Sequence, residues 1–154
     1  MHQGKAQLTL RPCRGPEEYS ALVDVWRSAV RAAHDFPEQS DFARIESRLA
    51  SDYFPAVTLI VAERQGAPVG FAGVHGRGLE MLFVANAARG QGVGSALLAE
   101  VIAKLAVSAV DVNEQNPGAR GFCLSQGFVE AGRSELDGDG RPYPIIHLRL
   151  QASA

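Results

Sequence analysis

Arg89-Gly90-Gln91-Gly92-Val93-Gly94-Ser95 is the stretch that decides the fold of this chain. It lies between a strand-like apolar run at residues 81–84 and a segment of helical apolar periodicity at residues 96–105. Glycines let the backbone approach an anion closely, and a helix that follows them directs its unpaired N–H groups and positive dipole end toward that anion. Because Arg89 adds a cation, the stretch predicts a binding site for a pyrophosphate.

The spacing of these glycines argues against two common nucleotide sites. A dinucleotide-binding fold needs G-x-G-x-x-G directly after a strand, whereas this chain has Gly90-x-Gly92-x-Gly94, and residues 85–89 separate the strand from the first glycine. A P-loop needs a lysine after its last glycine, but Gly94 is followed by Ser95 and Ala96. The pyrophosphate therefore belongs to another class of ligand.

Residues 89–94 match the pattern R/Q-x-x-G-x-G/A and resemble the acetyl-CoA motif of the GNAT (Gcn5-related) N-acetyltransferases. A second element of that family, N-x-x-A-x-x-F-(Y)-x-x-x-G-F, is matched by residues 116–128. Two motifs in the right order are far more specific than one. Further similarity to the bacterial YjaB-like branch of the family is found at Trp26 and at residues 33–36, 112–116, 132–135 and 140–144, so the resemblance covers nearly the whole chain.

The resemblance implies an α/β (α+β) fold, with a mixed, mostly antiparallel, splayed sheet flanked by about four helices. We expect one domain over residues 6–151. Apolar periodicity and turn residues predict its elements. The first expected strand is an edge strand that begins near Ala6, and the others cover residues 58–62, 69–74, 79–84, 107–112, 127–135 and 143–150. The expected helices start at Pro16, near Ser40 or Asp41, at the glycine stretch and at Pro117.

Composition excludes several classes of function. A net charge of -2 and a pI near 6.1, with scattered arginines, leave no basic stripe for nucleic acid. We see no signal peptide and no membrane span, and we expect a cytoplasmic protein. The two cysteines, Cys13 and Cys123, form no C-x-x-C pair, so we expect free thiols and no metal site.

The resemblance also assigns residues to the acetyl-CoA site. Backbone groups near Leu82 and Val84 would face the pantetheine and the thioester carbonyl, the glycine stretch would hold the pyrophosphate, and Asn116 would touch the pantetheine arm. The alternative is that the glycines only form the turn that starts a helix. The expected cofactor-binding residues are Leu82, Phe83, Val84, Arg89, Gly90, Gln91, Gly92, Val93, Gly94, Ser95, Asn116 and Phe122.

An alkyl ammonium has a pKa near 10.4, so an amine that attacks at neutral pH needs a base. Glu80 is one candidate, because carboxylates on this strand of the family act as bases and partial burial would raise the pKa of a glutamate. It could equally be a solvated strand residue or a partner of Arg77. His34 is the other candidate, since imidazole titrates near neutrality, although a histidine there could also cap a helix terminus.

The chain departs from the family pattern at Cys123, where a tyrosine usually protonates the departing CoA thiolate. Cys123 could pack in the core while Tyr143 or water serves as the acid, it could be the acid itself, or it could accept acetyl by thioester exchange. Tyr143 lies between Pro142 and Pro144 and could instead be an ordinary residue at the start of a strand.

These residues predict an enzyme that moves acetyl from acetyl-CoA directly to a primary amine, a peptidyl lysine or a small amine, through a ternary complex. The missing tyrosine keeps open an alternative, a non-catalytic acyl-CoA-binding or regulatory module. The expected partners are acetyl-CoA and the amine acceptor, with neither nucleic acid nor membrane. We expect a monomer or a homodimer.

Overall fold

The computed structural model describes residues 7–33, 39–138 and 140–151. Seven strands form one sheet in the order β1-β2-β3-β4-β5-β7-β6, and within it only the pairing of β4 with β5 is parallel. The strands are β1 Leu8–Pro12, β2 Thr58–Arg64, β3 Ala67–His75, β4 Gly78–Val84, β5 Ala109–Asn113, β6 Phe128–Ser134 and β7 Ile145–Leu150, and the helices are α1 Tyr19–Ala33, α2 Gln39–Arg48, α3 Val93–Leu105 and α4 Pro117–Ser125.

Local sequence explains the tight hairpin of β2 and β3. Gln65 and Gly66 form its two-residue turn with φ values of 55° and 78°. Two consecutive residues with positive φ match the twist of the strands that they join. The β-branched apolar run before this turn therefore folds back directly onto β3.

Each face of the sheet carries its own hydrophobic core. The main core packs α3 and α4 against one face and includes Leu97, Leu98 and Phe128. The second core packs α1 and α2 against the other face and includes Trp26, Leu49 and Phe71. Strand alternation explains the division, because neighbouring residues such as Ile60 and Val61 enter opposite cores.

The structure confirms the predicted fold class and the order of elements. Several boundaries differ. β2 extends to Arg64, β3 runs from Ala67 to His75, and β5 begins at Ala109 rather than at residue 107. α2 continues beyond Arg48 into a π-helical turn, Leu49–Tyr53, and a 3-10 turn, Phe54–Ala56, so the second helical segment is irregular at its end. β7 begins at Ile145 rather than at Tyr143, because Pro142 and Pro144 have no N–H to donate to a strand ladder. None of the described helices has the length and apolar character needed to cross a bilayer.

A charged cluster joins β1 to β2 and to the residues before α1. Arg11 of β1 contacts Glu18 at 2.6 Å and Glu63 of β2 at 2.6 Å, and all three side chains are less than 15% exposed. The Arg11 guanidinium lowers the pKa of Glu18 to about 2. This cluster ties the edge strand to the residues that precede α1.

We expect Gly70→Ala to destabilise the protein by about 1–3 kcal/mol, because the added methyl group overpacks a tight site. A Cβ at Gly70 would lie 2.9 Å from Val93 Cγ1 and 3.1 Å from the carbonyl oxygen of Phe83. Urea unfolding would measure the change. Gly121→Ala is the control, since a Cβ there meets nothing within 4 Å. A Gly70→Ala protein as stable as the wild type would contradict the packing of α3 on β3.

The Glu18 ion pair should make stability depend on pH. Its folded-state pKa of about 2 lies below the ordinary value of 4.5. The stabilisation is therefore complete above pH 4.5 and lost as the pH falls toward 2. We expect Glu18→Gln to reduce the free energy of unfolding by about 2–3 kcal/mol at pH 7 and by almost nothing near pH 2. Denaturant titrations across this range would test it, with the exposed Glu17→Gln as control, and a difference independent of pH would refute it.

Candidate active site

The sheet opens between β4 and β5. These parallel strands pair at only two positions, Gly78 with Ala109 and Leu79 with Val110, and then diverge. A cleft of about 340 Å³, here called the split cleft, fills the gap. Backbone groups of β4 on this side lack a strand partner beyond Leu79, so they can bond to an inserted ligand. Its lining residues are Leu79–Val84, Gly94, Val110–Asn113, Asn116, Ala119, Phe122 and Cys123.

A β-bulge in β4 sets the direction of Glu80. Val74 pairs with Leu79 while Gly73 pairs with Met81, so Glu80 is an extra residue without a partner on β3. A bulge redirects the side chain that it carries. Glu80 lines both the split cleft and a pocket on the opposite face of the sheet. Glu80 is exposed, so the partial burial that was considered for it from the sequence is not found.

The glycine stretch forms the expected turn before α3. Gly90 and Gly92 have φ values of 75° and 83°, which favour glycine, and α3 begins at Val93. The first N–H groups of a helix have no helical acceptor, so those of Val93, Gly94 and Ser95 point toward the turn. Arg89 is exposed beside them. Free N–H groups, a helix dipole and a cation together fit a pyrophosphate.

Two side chains of this stretch are already occupied by protein partners. Gln91 Oε1 accepts a hydrogen bond of 2.5 Å from Arg64 Nη1 of β2. Ser95 Oγ accepts a 3.4 Å hydrogen bond from Gln126 Nε2 after α4. Gln91 and Ser95 therefore brace the turn with their side chains and offer their backbone N–H groups to a ligand.

Gly94 of α3 lies beside the end of β4 and beside α4. A Cβ at Gly94 would lie 3.6 Å from Phe122 Cζ and 3.7 Å from Val84 Cγ2. These three residues narrow the split cleft from one side. The predicted cofactor residues on β4, α3 and α4 thus meet at one opening of the sheet.

Asn116 caps α4, because its Oδ1 accepts a hydrogen bond of 3.1 Å from the N–H of Ala119. It also borders the split cleft and a second, outer cleft of about 520 Å³. The outer cleft joins the end of β4 to the start of α4 and is lined by Ala29, Ala32, Leu82, Phe83, Val84, Arg89, Gln115, Asn116, Pro117, Gly118 and Ala119. The two clefts share five lining residues, Leu82, Phe83, Val84, Asn116 and Ala119, so they form a continuous path from Arg89 toward Glu80.

Cys123 lies in the split cleft but is only 3% exposed. Burial raises the pKa of its thiol, because a thiolate would lose the stabilisation of water. The residue is therefore a neutral thiol at pH 7. This state suits packing or proton donation and disfavours the acetyl-accepting role, which needs a thiolate.

An apolar pocket of about 560 Å³ lies on the other side of Glu80, on the face of the sheet that α1 and α2 cover. It shares Glu80, Met81 and Phe83 with the split cleft. Trp26 is 2% exposed and belongs to the second core while its edge also lines this pocket. The lining residues are Trp26, Ile45, Leu49, Tyr53, Ala56, Val57, His75, Glu80, Met81 and Phe83.

His75 and Tyr53 of this pocket were not identified from the sequence. The strand was expected to end at Val74, and the pocket depends on the π-helical turn after α2, which has no clear periodic signal. The two-residue turn Gly76-Arg77 offered one clue for His75, since it places that residue opposite Gly78, two positions from Glu80.

Of the remaining two catalytic candidates, the structure describes Tyr143 alone, and Tyr143 does not reach these clefts. Tyr143 is half-buried before β7, its N–H bonds to the carbonyl oxygen of Arg141 at 2.8 Å, and none of the three clefts described here includes it. His34 lies outside the described residues. Among the residues in the described ranges, no group of three or more His, Cys, Asp or Glu side chains could hold a metal.

Comparisons with known proteins agree with this geometry. The family model described as "Acetyltransferase (GNAT) domain" matches residues 26–143. The peptidyl-lysine N-acetyltransferase YjaB of Salmonella typhimurium is 40% identical over 133 residues, which cover 86% of this chain and 91% of that protein. Its namesake in Escherichia coli is 37% identical over 133 residues, covering 86% and 90%.

Solved structures show the same fold. The solution structure of apo-form YjaB from Escherichia coli superposes with a TM-score of 0.84 at 35% identity and covers 96% of this chain and 99% of that one. A PaiA N-acetyltransferase from Thermoplasma acidophilum in complex with coenzyme A has a TM-score of 0.72 at 15% identity, with coverage of 93% and 99%. The chain therefore belongs to the GNAT family of acetyltransferases, whose acetyl donor is acetyl-CoA.

Proposed function

We propose that this protein transfers acetyl from acetyl-CoA directly to the ε-amine of a lysine in a protein or peptide. The observation that carries the proposal is the position of Glu80, the one residue of the β4 bulge, between the split cleft and the apolar pocket. Two relatives that match 86% of this chain are named for peptidyl-lysine acetylation. The non-catalytic alternative is not favoured, because a proton acceptor stands where the two compartments meet.

The apolar pocket suits the acceptor side chain. Its walls are mainly aliphatic and aromatic, including Trp26, Met81 and Phe83. Polar groups are contributed by Glu80, His75 and the hydroxyl of Tyr53. A lysine can bury its methylene stem against apolar walls while the amine remains at a polar rim. This arrangement would deliver the amine to Glu80.

Glu80 is proposed as the proton acceptor. A lysine ammonium has a pKa near 10.4 and must lose a proton before its nitrogen can attack a carbonyl carbon. The exposed carboxylate of Glu80 can take that proton directly or through one water and release it to solvent. His34 stays a prediction as an alternative base.

The proposed cofactor contacts follow the path from Arg89 to Glu80. Arg89 and the N–H groups at the start of α3 would hold the pyrophosphate, and Asn116 and the free backbone groups of Leu82–Val84 would line the pantetheine path. Phe122 and Val84 would narrow the pantetheine path beside Gly94 of α3. The thioester would lie beside the β4 bulge.

Cys123 is proposed mainly as a packing residue. A CoA thiolate has a pKa close to that of an ordinary thiol, so its departure needs little help from an acid. Water that enters the split cleft can protonate the departing CoA thiolate. Tyr143 stays a prediction as an acid, and so do the cytoplasmic location, the absence of nucleic-acid binding and the monomeric or homodimeric state.

We expect Glu80→Gln to lower kcat by about 10²–10⁴-fold, because the amide cannot accept the amine proton. Free-CoA release with a lysine peptide would measure the rate, and acetyl-CoA binding should persist. Glu100→Gln on α3 is the control, since Glu100 lines none of the three clefts. Unchanged turnover in Glu80→Gln would rule out Glu80 as the base.

We expect Cys123→Ser to keep kcat within about threefold of the wild type, because the smaller, polar side chain preserves the helix and the leaving thiolate needs little protonation. The same CoA-release assay would measure it at pH 7, with unfolding followed in parallel to separate stability from rate. A loss of more than about 10²-fold in a folded variant would show that the thiol donates the proton.

A further inference from the structure

Three side chains form a continuous hydrogen-bonded row across β5, β7 and β6. His147 Nδ1 lies 2.7 Å from Asp111 Oδ1, and His147 Nε2 lies 2.7 Å from Ser134 Oγ. The pairing of the strands explains the row, because Asp111 is the cross-strand partner of His147, and Ser134 is the partner of Ile145, which lies on the same face as His147. These side chains point away from the main core, which receives Val110, Val112 and Ile146.

One end of this row reaches the split cleft. Asp111 lines it together with Glu80. The two residues directly follow Val110 and Leu79, which form the last parallel pair before β4 and β5 diverge. The structure therefore places two acidic residues on the two strands that border the cleft, next to its closed end.

The row fixes the orientation of Asp111. An ionised carboxylate has no proton to donate, so His147 must donate its Nδ1–H to Asp111 and can accept the Ser134 hydroxyl proton at Nε2. Both ring nitrogens are then satisfied, and the ring cannot turn without breaking a bond. The second carboxylate oxygen of Asp111 accepts no hydrogen bond from any residue within the described ranges.

The order Ser134, His147, Asp111 is that of a hydrolase triad, but the surroundings favour a different use. None of the three clefts described here includes Ser134 or His147, whereas Asp111 faces the split cleft. The polar group presented to a ligand is therefore the carboxylate, and the imidazole and hydroxyl stand behind it.

We propose that Asp111 binds the ammonium group of the acceptor beside Glu80, and that His147 and Ser134 are positioning residues that hold its carboxylate in place. This inference rests on the proposed function and adds a specificity-determining residue to it. The carboxylates of Asp111 and Glu80 would together favour a cationic acceptor over a neutral or anionic one. Glu80 then takes the proton while Asp111 retains the acceptor, which separates their kinetic effects.

We expect Asp111→Asn to raise the KM for a lysine peptide by about 10-fold to 100-fold while kcat changes less than about threefold, because uniform binding of the amine is lost. Glu114→Gln is the matched control. It removes the same charge from the adjoining end of β5, where Glu114 pairs with Arg133 outside the cleft. The control should leave KM unchanged.

Variants of His147 test the positioning role. We expect His147→Ala to raise the same KM by about 3-fold to 10-fold, and His147→Asn to restore it, because the asparagine amide can donate in place of Nδ1–H. A merely structural role would lower the melting temperature without a selective change in KM. Equal KM values for His147→Ala and His147→Asn in folded proteins would overturn the positioning role.

The same assay distinguishes a failure of the Asp111 inference from a failure of the proposed acetyltransferase function. Wild-type turnover with an unchanged KM in folded Asp111→Asn would overturn this inference and leave the proposed function intact. No amine-dependent CoA release by the wild type, with lysine peptides or small amines, would overturn the proposed function and this inference with it. If Asp111→Asn does not fold, the comparison of His147→Ala with His147→Asn decides the question.

Discussion

The short pairing of β4 with β5 is the constraint on which the site depends. If these two pairs were lost, the sheet would become two sheets, whereas pairing along the whole of β5 would leave no cleft. Beyond this pairing, Val84 of β4 and Phe122 of α4 pack against the main core, and Gly94 of α3 lies beside both. Core packing thus replaces strand pairing as the source of cohesion, and backbone groups that a closed sheet would use remain free for a ligand.

The sequence was sufficient for the parts of the site that are local along the chain. The glycine stretch and the start of α3 follow from conformational rules that act within a few residues, and Asn116 fits both a cap and a motif. Glu80 was identified, but its exposure was not, because the bulge exists only in the register between β3 and β4. His75 and Asp111 were missed for the same reason, because the position of each in the site depends on its pairing with another strand.

The chemistry of Cys123 illustrates how burial limits a reactive residue. The same desolvation that raises the pKa of its thiol keeps the thiol from becoming a nucleophilic thiolate. A tyrosine at this position would be larger and would protrude into the split cleft. The smaller side chain of Cys123 therefore leaves space in the cleft, and the stability of a thiolate leaving group reduces the need for an acid at this position.

The hydrogen bond from Arg64 to Gln91 joins the glycine stretch to the β2–β3 hairpin. Its consequence concerns the entropy of binding. A loop of glycines that was free in solution would lose much conformational freedom when it closed around a phosphate. Here folding has already restricted the loop, so ligand binding need not pay that cost again. The hydrogen bond from β2 in this way restricts in advance the loop that is proposed to bind the anion.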